Sequence, residues 1–480
     1  MSVRAAVTRD LDGLRRRFAE HGQEHVFQFW DALDAAARDR LARQAESIDL
    51  AALDRVREDT ARLLAPGSRT LAPAPVVRLP ERGGDASSWR AAVELGDELL
   101  ASGAVGVMVV AGGQGTRLGF DGPKGTFPIG PVTTRSLFEL QAQKIRGVGR
   151  RFGRPVPWYV MTSRATDAST RSFFERSDWF GLPKDDVFVF CQGMVPALDF
   201  DGRLLLEQPD RIAEAPDGHG GSIPALAASG ALGDMERRGV GTISYYQVDN
   251  PLARLADAAY LGFHAAARAE MSAKVVRKRE PGEKMGVVAR LGGAQGRVGI
   301  VEYTELDDPH RLARDAEGEL VYWAGSIAAH VFEVGFLRRV AADVDRCLPF
   351  HASAKKIPYL DDVGRPVRPT RPNGTKLERF VFDALPHAAR SAVVEARRQE
   401  EYSPVKNAEG EDSPATARRA LVAQYRAWLE AGGIPLPGGD APWIELDHSV
   451  IDGPDDARQS QLRDAAQAGD AIRIGQGAHA

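Results

Sequence analysis

The sequence predicts an α/β protein built around a mixed β-sheet, and the alternation of two patterns along the chain supports this. Short runs rich in β-branched and aromatic residues alternate with longer stretches of helical periodicity, which is typical of a sheet covered by helices. The predicted strands are VGVMVV at 105–110, WYVM at 158–161, VFVF at 187–190 and TISYYQV at 242–248. The predicted covering helices include SLFELQAQKIRGV at 136–148 and DAAYLGFHAAARAE at 257–270.

A predicted hairpin makes the sheet mixed rather than purely parallel. The runs KMGVVAR at 284–290 and VGIVEYT at 298–304 flank a glycine-rich turn, LGGAQG, at 291–296. Two β-rich runs that are joined by such a short turn pair with each other in antiparallel fashion. We therefore expect this hairpin to be inserted into the sheet.

Composition and periodicity divide the chain into three consecutive regions. Residues 1–100 hold two or three amphipathic helices between Thr8 and about Leu64, followed by a proline-rich arm. Residues 101–390 alternate between strand and helix patterns and form the expected core. Residues 391–480 begin with a charged helical stretch and continue into a turn-rich segment, which predicts a small C-terminal α+β lobe.

Composition also excludes several classes of protein. The 62 Lys+Arg residues against 66 Asp+Glu give a net charge of −4, so no bulk positive charge draws the chain to nucleic acid or acidic lipid. The longest apolar run, around Val105–Ala111, is far shorter than the ~20 residues of a membrane helix. Charged residues interrupt every apolar patch near the N-terminus, and two cysteines suit a reducing compartment. We expect a soluble cytoplasmic protein, either a monomer or a weak homo-oligomer.

The strongest local motif is a glycine-rich loop within VMVVAGGQGTRLGFDGPKG, at 107–125. A strand runs directly into Gly112, Gly113 and Gly115, and two cations, Arg117 and Lys124, follow. Glycine permits a strained turn and lets backbone N–H groups approach an anionic oxygen closely. The alternative is a tight turn with no ligand, but the two cations favour a phosphate-binding loop.

Two familiar phosphate loops do not match this motif. A dinucleotide fingerprint needs a glycine where the chain has Leu118, which disfavours a dinucleotide-dependent oxidoreductase. A Walker loop needs Gly-Lys-Ser/Thr, whereas Lys124 lies between Pro123 and Gly125. The Pro-Lys pair after the loop instead resembles the nucleotidyltransferase loop of sugar-nucleotide pyrophosphorylases.

Further blocks resemble the eukaryotic-type UDP-N-acetylglucosamine pyrophosphorylases and occur in the same order along the chain. They are PDGHGG (216–221), VDNPLARLADAAYLGF (248–263), GIVEYTEL (299–306), WAGSIAAHVF (323–332), AKKIPYLDD (354–362), RPNGTKLERFVFDAL (371–385) and EYSPVKNAEGEDSPATARRAL (401–421). The resemblance covers about residues 101–421. It implies a Rossmann-like mixed-sheet nucleotidyltransferase core, with the helical segment before it and the small lobe after it.

The resemblance also implies an enzyme, a UTP-dependent sugar-1-phosphate uridylyltransferase that releases pyrophosphate and uses Mg²⁺. Its substrates would be UTP and a sugar 1-phosphate. Such a reaction needs two polyanions positioned in line and the charge of the leaving group neutralised. The implied catalytic residues are Arg117, Lys124 and Lys376. The implied nucleotide-binding residues are Ala111, Gly112, Gly113, Gly115, Gln192, Gly218, His219 and Asp249. The implied sugar-phosphate-binding residues are Gly286, Glu302, Ser326 and Lys356.

Two of these assignments have a chemical reason of their own. Asp249 follows a predicted strand and offers the carboxylate that Mg²⁺ prefers, and capping of the next helix is the less favoured alternative. The carboxamide of Gln192 has one donor and one acceptor, which complements N3–H and O4 of uracil. Surface or packing roles for Gln192, Ser326, Lys356 and Lys376 are the alternatives, and only the resemblance decides against them.

Two departures from the family pattern concern the substrate. His219 stands where the family usually has asparagine, as in enzymes that are specific for UDP-glucose or accept several UDP-sugars. Trp323-Ala324-Gly325-Ser326 replaces the usual Asn-Ala-Gly-Asn, so an asparagine that seats the sugar is missing. Glucose 1-phosphate or a broad set of sugar 1-phosphates therefore stays open beside N-acetylglucosamine 1-phosphate. A UDP-sugar-binding regulator without turnover is the remaining alternative.

Overall fold

The computed structural model describes residues 10–64, 70–434, 436, 443–459, 465–468 and 471–474. By their contacts the residues form two compact units, each assembled from three separate segments. The first unit is Met1–Gly67, Gly193–Gly221 and Leu348–Val381. The second unit is Ser68–Gln192, Ser222–Cys347 and Phe382–Ala480. The division into three consecutive regions, 1–100, 101–390 and 391–480, stays a prediction from the sequence.

The first unit packs helices against short antiparallel strands. Its helices are α1 (Leu11–Glu20), α2 (Ala35–Glu46) and α3 (Leu50–Leu64), which confirms the amphipathic helices predicted there. The central strand Gly374–Arg379 pairs with Phe350–Lys355 on one side and with Leu198–Asp199 on the other. A shorter pair joins Met194–Pro196 to Glu214–Pro216. Buried side chains of the three helices and of the 3₁₀ turns between α1 and α2 form one apolar cluster with Leu204 and Leu377; Phe18, Phe27, Trp30 and Leu41 are among them.

The second unit is built on a ten-stranded mixed sheet. Its strands are β1 (Leu71–Pro73), β2 (Val105–Val110), β3 (Trp158–Thr162), β4 (Val187–Cys191), β5 (Thr242–Gln247), β6 (Met271–Arg277), β7 (Val287–Leu291), β8 (Arg297–Val301), β9 (Ala324–Glu333) and β10 (Ser391–Glu395). The four strands expected from the sequence and the hairpin β7–β8 are all present, which confirms those predictions.

The strand order explains where a ligand has room to bind. The sheet runs β1-β7-β9-β5-β2-β3-β4, with β6 beside β9, β10 beside β6 and β8 beside β7. Strands β5, β2, β3 and β4 are parallel neighbours, whereas β9 is antiparallel to β5. From β2 the chain moves first to β3 and β4 on one side and only later to β5 on the other. The order therefore reverses between β2 and β5, and at such a point the loops after the strands diverge and leave a crevice.

Helices cover this sheet and bury its apolar side chains. They are α4 (Ala86–Ser102), α5 (Leu137–Phe152), α6 (Asp167–Arg176), α7 (Ser222–Ala228), α8 (Ala231–Arg237), α9 (Ala258–Ala266), α10 (Asp308–Leu312), α11 (Val334–Ala342), α12 (Val344–Cys347), α13 (Arg398–Glu401), α14 (Pro414–Ala431) and α15 (Pro454–Gln459). Helix α5 begins at a capping box formed by Ser136 and Glu139, as expected for a Ser-x-x-Glu start. Its Phe138 packs edge-on against Trp158 of β3 and Phe174 of α6.

The C-terminal part of the second unit has both helix and strand. Strand Trp443–Leu446 pairs in parallel with Ala471–Ile474, which pairs antiparallel with Ala465–Ala468. Strand β10, at the start of this part, belongs to the main sheet instead. Among the described helices, none has the length and apolar composition needed to cross a membrane.

Candidate active site

Four predicted or neighbouring site positions follow directly from the carboxyl ends of parallel strands. Strand β2 leads into Ala111, β3 into Ser163, β4 into Gln192 and β5, after Val248, into Asp249. The register places the last residues of these strands side by side, because Val110 pairs with both Gln247 and Met161. The predicted loop and Asp249 are therefore adjacent at the crevice between β2 and β5.

Main-chain hydrogen bonds fold the glycine-rich loop back on itself. Ala111 N donates to Met161 O at 2.8 Å, and Lys124 N donates to Gly113 O at 2.9 Å. Gly115 N donates to Gly122 O at 2.9 Å. A methyl group placed on Gly113 would meet no described atom within 4 Å, so the backbone there faces open space. This is the open approach that a phosphate oxygen needs to reach backbone N–H groups.

The reason for glycine in this loop differs from the one expected. Gly112, Gly113 and Gly115 do not adopt positive φ, whereas Gly119 and Gly122, farther along, have φ of 67° and 144°. At Gly115 a Cβ would lie 2.7 Å from the Phe120 ring, which is too close for any side chain. The expectation of a strained turn at the first three glycines is wrong: Gly112 and Gly115 need space rather than left-handed backbone, and Gly113 requires neither.

Gln192 lies against the glycine loop, as the resemblance implies. A Cβ on Gly112 would be 3.1 Å from Gln192 Nε2, so glycine is needed for the carboxamide to approach the loop. Gln192 N donates to Thr162 O at 2.9 Å, and Ser163 Oγ donates to Gly112 O at 2.7 Å. The loops after β2, β3 and β4 therefore fix one another, with the carboxamide of Gln192 beside Gly112.

Two charged residues of the predicted site, Lys124 and Asp249, are in contact. Lys124 Nζ lies 3.4 Å from Asp249 Oδ2, although 125 residues separate them in sequence, and both side chains are largely buried. Arg117 is exposed in the 3₁₀ turn Thr116–Leu118, and within the described part of the chain its guanidinium forms no hydrogen bond or ion pair. An exposed arginine beside a glycine loop is available to a phosphate.

Asp249 does not cap a helix, which removes the alternative raised by the sequence. The next helix, α9, has Asp257 as its N-cap residue. The Asp249 backbone is held instead by Val405, whose N–H donates to Asp249 O at 2.8 Å. The Asp249 carboxylate therefore does not cap α9, and it contacts Lys124 instead.

The three residues predicted to bind the sugar also lie together. Ser326 N donates to Gly286 O at 2.8 Å, where β9 meets the start of β7. A Cβ on Gly286 would be 3.2 Å from Glu302 Oε1, so the carboxylate lies directly against this glycine. The group therefore offers a carboxylate and a hydroxyl within one small region of the second unit.

Trp323, one of the departures from the family pattern, packs against two arginines. Its ring centroid is 4.7 Å from the guanidinium carbon of Arg277 and 5.9 Å from that of Arg78. The indole is almost completely buried. Trp323 therefore stacks on these two arginines.

Four predicted residues belong to the first unit. Gly218 has φ of 84°, and its Cβ would clash with Arg379 O at 2.6 Å, so only glycine fits. The His219 ring stacks on Phe380, and Val381 N donates to its Nδ1 at 3.1 Å. Burial lowers the pKa of His219 to about 4, so the ring is neutral near pH 7 with its remaining proton on Nε2.

The two lysines predicted to meet phosphates differ in their surroundings. Lys376 lies on the strand Gly374–Arg379, and its Nζ donates to Glu378 Oε1 at 2.8 Å. Lys356 is exposed and follows the strand Phe350–Lys355. Their proposed contacts with substrate stay a prediction.

Lys406 is a candidate that the sequence reasoning missed. It belongs to the block EYSPVKN, which was used only to establish the resemblance. Lys406 Nζ donates to Tyr402 Oη at 3.1 Å and lies 3.7 Å from Asp412 Oδ2. Burial would lower the pKa of Lys406, but Tyr402, Asp249 and Asp412 together hold it above its usual value. Lys406 is therefore a further cation whose charge interacts with that of Asp249, and the signal in the sequence was its place in a matched block.

The described residues contain no cluster of three or more His, Cys, Asp or Glu side chains able to hold a metal ion by themselves. Asp249 provides a carboxylate beside Lys124 of the glycine loop. Mg²⁺ retains several waters and is often bound by one or two carboxylates together with substrate phosphates. The donor chemistry at Asp249 fits a cation of that kind, shared with a nucleotide.

Comparison with known proteins agrees with this geometry. Residues 94–428 match the model of the UTP-glucose-1-phosphate uridylyltransferase family. The human UDP-N-acetylhexosamine pyrophosphorylase-like protein 1 is 40% identical over 450 residues, 90% of this chain and 88% of the relative. The UDP-N-acetylglucosamine pyrophosphorylase of Saccharomyces cerevisiae is 33% identical, covering 88% of this chain and 92% of the relative. The crystal structure of the Trypanosoma brucei enzyme of the same name superposes with a TM-score of 0.83 at 28% identity, over 98% of this chain and 99% of that one.

Proposed function

We propose that this chain, which belongs to the UTP-glucose-1-phosphate uridylyltransferase family, transfers the uridylyl group of UTP to an N-acetylhexosamine 1-phosphate and releases pyrophosphate. One observation supports the proposal most directly. The glycine loop, Lys124 and Asp249 meet at the point where the strand order reverses, where α/β proteins bind nucleotides.

The reaction needs no covalent intermediate with the protein. An oxygen of the sugar phosphate attacks the α-phosphorus of UTP, and the bond from that phosphorus to the bridging oxygen breaks. The electron pair of that bond leaves with pyrophosphate. The protein therefore contributes alignment and charge compensation, which account for most of the catalysis in phosphoryl transfer.

The residues divide this work by their positions. The Gln192 carboxamide beside Gly112 pairs with N3–H and O4 of uracil, and cytosine would present the reverse pattern. The open backbone at Gly113 receives the phosphates. Lys124 and Arg117 compensate the negative charge that builds up on the leaving pyrophosphate.

Asp249 is the residue that would hold Mg²⁺. A bound Mg²⁺ would neutralise part of the triphosphate charge and help to orient it. Lys124 lies 3.4 Å from Asp249, so the same carboxylate also places the lysine ammonium for its own contact with phosphate.

On the sugar side, the Glu302 carboxylate accepts hydrogen bonds from sugar hydroxyls next to Gly286, and Ser326 lies beside them. Lys356 and Lys376 of the first unit, and Gly218 and His219 with them, are assigned to substrate by their matched blocks. Ser326 in place of the family's asparagine, together with His219, favours glucose 1-phosphate as the competing substrate.

The protein acts on small phosphorylated molecules in a reducing cytoplasm. Its slight negative charge does not favour nucleic acid, and its two cysteines suit that compartment. A monomer or a weak homo-oligomer is expected.

A panel of sugar 1-phosphates tests the proposal. The purified protein is mixed with UTP, Mg²⁺ and the 1-phosphates of N-acetylglucosamine, N-acetylgalactosamine, glucose or galactose, and pyrophosphate release is measured. Release should be fastest with an N-acetylhexosamine. Faster release with glucose 1-phosphate would reassign the sugar, and binding of UDP-sugar without pyrophosphate release from any substrate would favour the non-catalytic regulator. Lys124→Ala is the matched control for background release.

A further inference from the structure

Lys144 of α5 is a buried ammonium with an unusual environment. The residue is 3% exposed, and within the described ranges no carboxylate lies within ion-pair distance of its Nζ. The Nζ donates instead to two backbone carbonyls, Pro251 O at 2.7 Å and Ala253 O at 2.8 Å. Burial lowers the pKa of Lys144 to about 8, despite the more distant charges of Asp452 and Glu401. Burying an ammonium without a carboxylate partner costs folding free energy. The position of the two carbonyls that accept its hydrogen bonds therefore indicates what Lys144 does.

Both acceptors lie in the irregular segment 248–257, which contains Asp249 and connects β5 to α9. Carbonyls in such a segment have no ladder partner and need other donors when they are buried. Gln141, one turn before Lys144 on α5, supplies a third donor, because its Nε2 donates to Val248 O at 2.9 Å. Helix α5 therefore holds the chain immediately before Asp249 and again two and four residues after it.

The other side of the same turn is held by the segment 401–405. Asn250 Nδ2 donates to Glu401 O at 2.7 Å, and Ser403 N donates to Asn250 Oδ1 at 3.1 Å. Val405 N donates to Asp249 O at 2.8 Å. With α5 behind the turn and 401–405 beside it, the Asp249 backbone has little freedom, and its carboxylate is directed to Lys124.

We propose that Lys144 is a positioning residue for the reaction, which fixes the turn at 248–253 from behind so that the Asp249 carboxylate is held ready for a divalent cation and the triphosphate. The inference rests on the proposed function. Lys144 itself touches neither nucleotide nor metal. An apolar side chain of similar length would fill the same space but would leave Pro251 O and Ala253 O without donors, and the turn would lose its fixed geometry.

Three variants separate positioning from general stability. Lys144→Met keeps the volume and removes the donors, whereas Lys144→Arg keeps several donors. Ile145→Ala is the matched control, because Ile145 is the next residue of α5, is equally buried and donates nothing to the turn. Binding of Mn²⁺ in the presence of UTP, with no sugar phosphate, is measured by electron paramagnetic resonance, and kcat, KM and the Mg²⁺ needed for half-maximal rate are measured in turnover.

We expect Lys144→Met to weaken Mn²⁺ binding in the presence of UTP at least tenfold and to lower kcat at least tenfold, with a smaller change in KM for the sugar phosphate. Lys144→Arg should recover most of both losses, and Ile145→Ala should lower the unfolding temperature while leaving Mn²⁺ binding unchanged. If Lys144→Met does not fold, Gln141→Leu should show the same pattern with smaller losses.

Wild-type Mn²⁺ binding and kcat in Lys144→Met would overturn the inference. So would an equal loss of Mn²⁺ binding in Ile145→Ala, since the effect would then come from weakening α5 in general. A wild-type protein that neither binds Mn²⁺ with UTP nor releases pyrophosphate would instead overturn the proposed function, and the inference with it.

Discussion

Asp217, the residue before Gly218, has a carboxyl group whose ionisation should destabilise the folded protein. The side chain is 7% exposed, and its Oδ1 has no hydrogen-bond partner among the described residues. Burial raises its pKa from 3.8 to about 7, although a backbone hydrogen bond and Arg379 act in the opposite direction. The perturbation that tests this is Asp217→Asn, which keeps the shape of the side chain and removes the charge.

The size of the effect follows from the pKa difference. Between pH 3.8 and 7 the folded state binds more protons at this site than the unfolded state, so the free energy of unfolding falls as the pH rises through that window. A difference of about three pKa values at about 1.4 kcal/mol each gives about 4 kcal/mol above pH 7. Asp217→Asn should therefore be more stable than the wild type by up to about 4 kcal/mol at pH 8.

Urea unfolding at a series of pH values between 4 and 8.5 measures this difference. The advantage of Asp217→Asn should grow with pH and approach zero near pH 4. Asp201→Asn, at an exposed position of the same unit, is the control and should leave the pH dependence unchanged. A difference between Asp217→Asn and wild type that is equal at pH 4 and pH 8 would refute the reasoning, because the carboxyl would then ionise as easily in the folded as in the unfolded state.

Three further predictions concern the loops around the glycine turn. Lys124→Ala should lower kcat at least a hundredfold, about 3 kcal/mol of lost transition-state stabilisation, and unchanged turnover in a pyrophosphate-release assay would place Lys124 outside the site. Asp249→Asn should raise the Mg²⁺ needed for half-maximal rate steeply, whereas a normal Mg²⁺ titration would remove this carboxylate from the metal site. Glu445 is fully buried and accepts four hydrogen bonds from Val132, Thr133 and Arg135. Glu445→Gln should lower the free energy of unfolding by about 3 kcal/mol, because it removes the buried charge opposite Arg135 and leaves that arginine with the longer ion pair to Asp447, at 3.7 Å. A change below about 1 kcal/mol in urea unfolding would contradict this.

Local patterns in the sequence predicted four strands and the hairpin of the second unit, but not β1, β6, β9 or β10. The run 105–110 is apolar throughout and the run 242–248 is rich in β-branched and aromatic residues, which is typical of strands buried on both faces, and the structure confirms β2 and β5 there. The resemblance was carried by ordered blocks, and the family match over 94–428 confirms it. The one local reason that was wrong concerned Gly112, Gly113 and Gly115, because sequence alone does not distinguish a glycine needed for space from one needed for positive φ.

Local sequence patterns did not predict which segments of the chain form the first unit. Segments 193–221 and 348–381 join the N-terminal helices in one compact unit, although more than a hundred residues separate each from the next. An amphipathic helix shows which of its faces is buried but not what covers that face. The partner is chosen by the shape and volume of surfaces that form only when distant segments meet.

By itself, the sequence determined six of the ten strands of the main sheet, some of the helices that cover it, the glycine loop and the family, because these depend on residue periodicity and on ordered motifs. The tertiary structure alone decided that Lys124 contacts Asp249, and that Lys144 holds the turn behind it. Those relations depend on strand order and on the path of loops. The contact between Lys124 and Asp249 joins residues 125 positions apart, and no local periodicity encodes such a pairing.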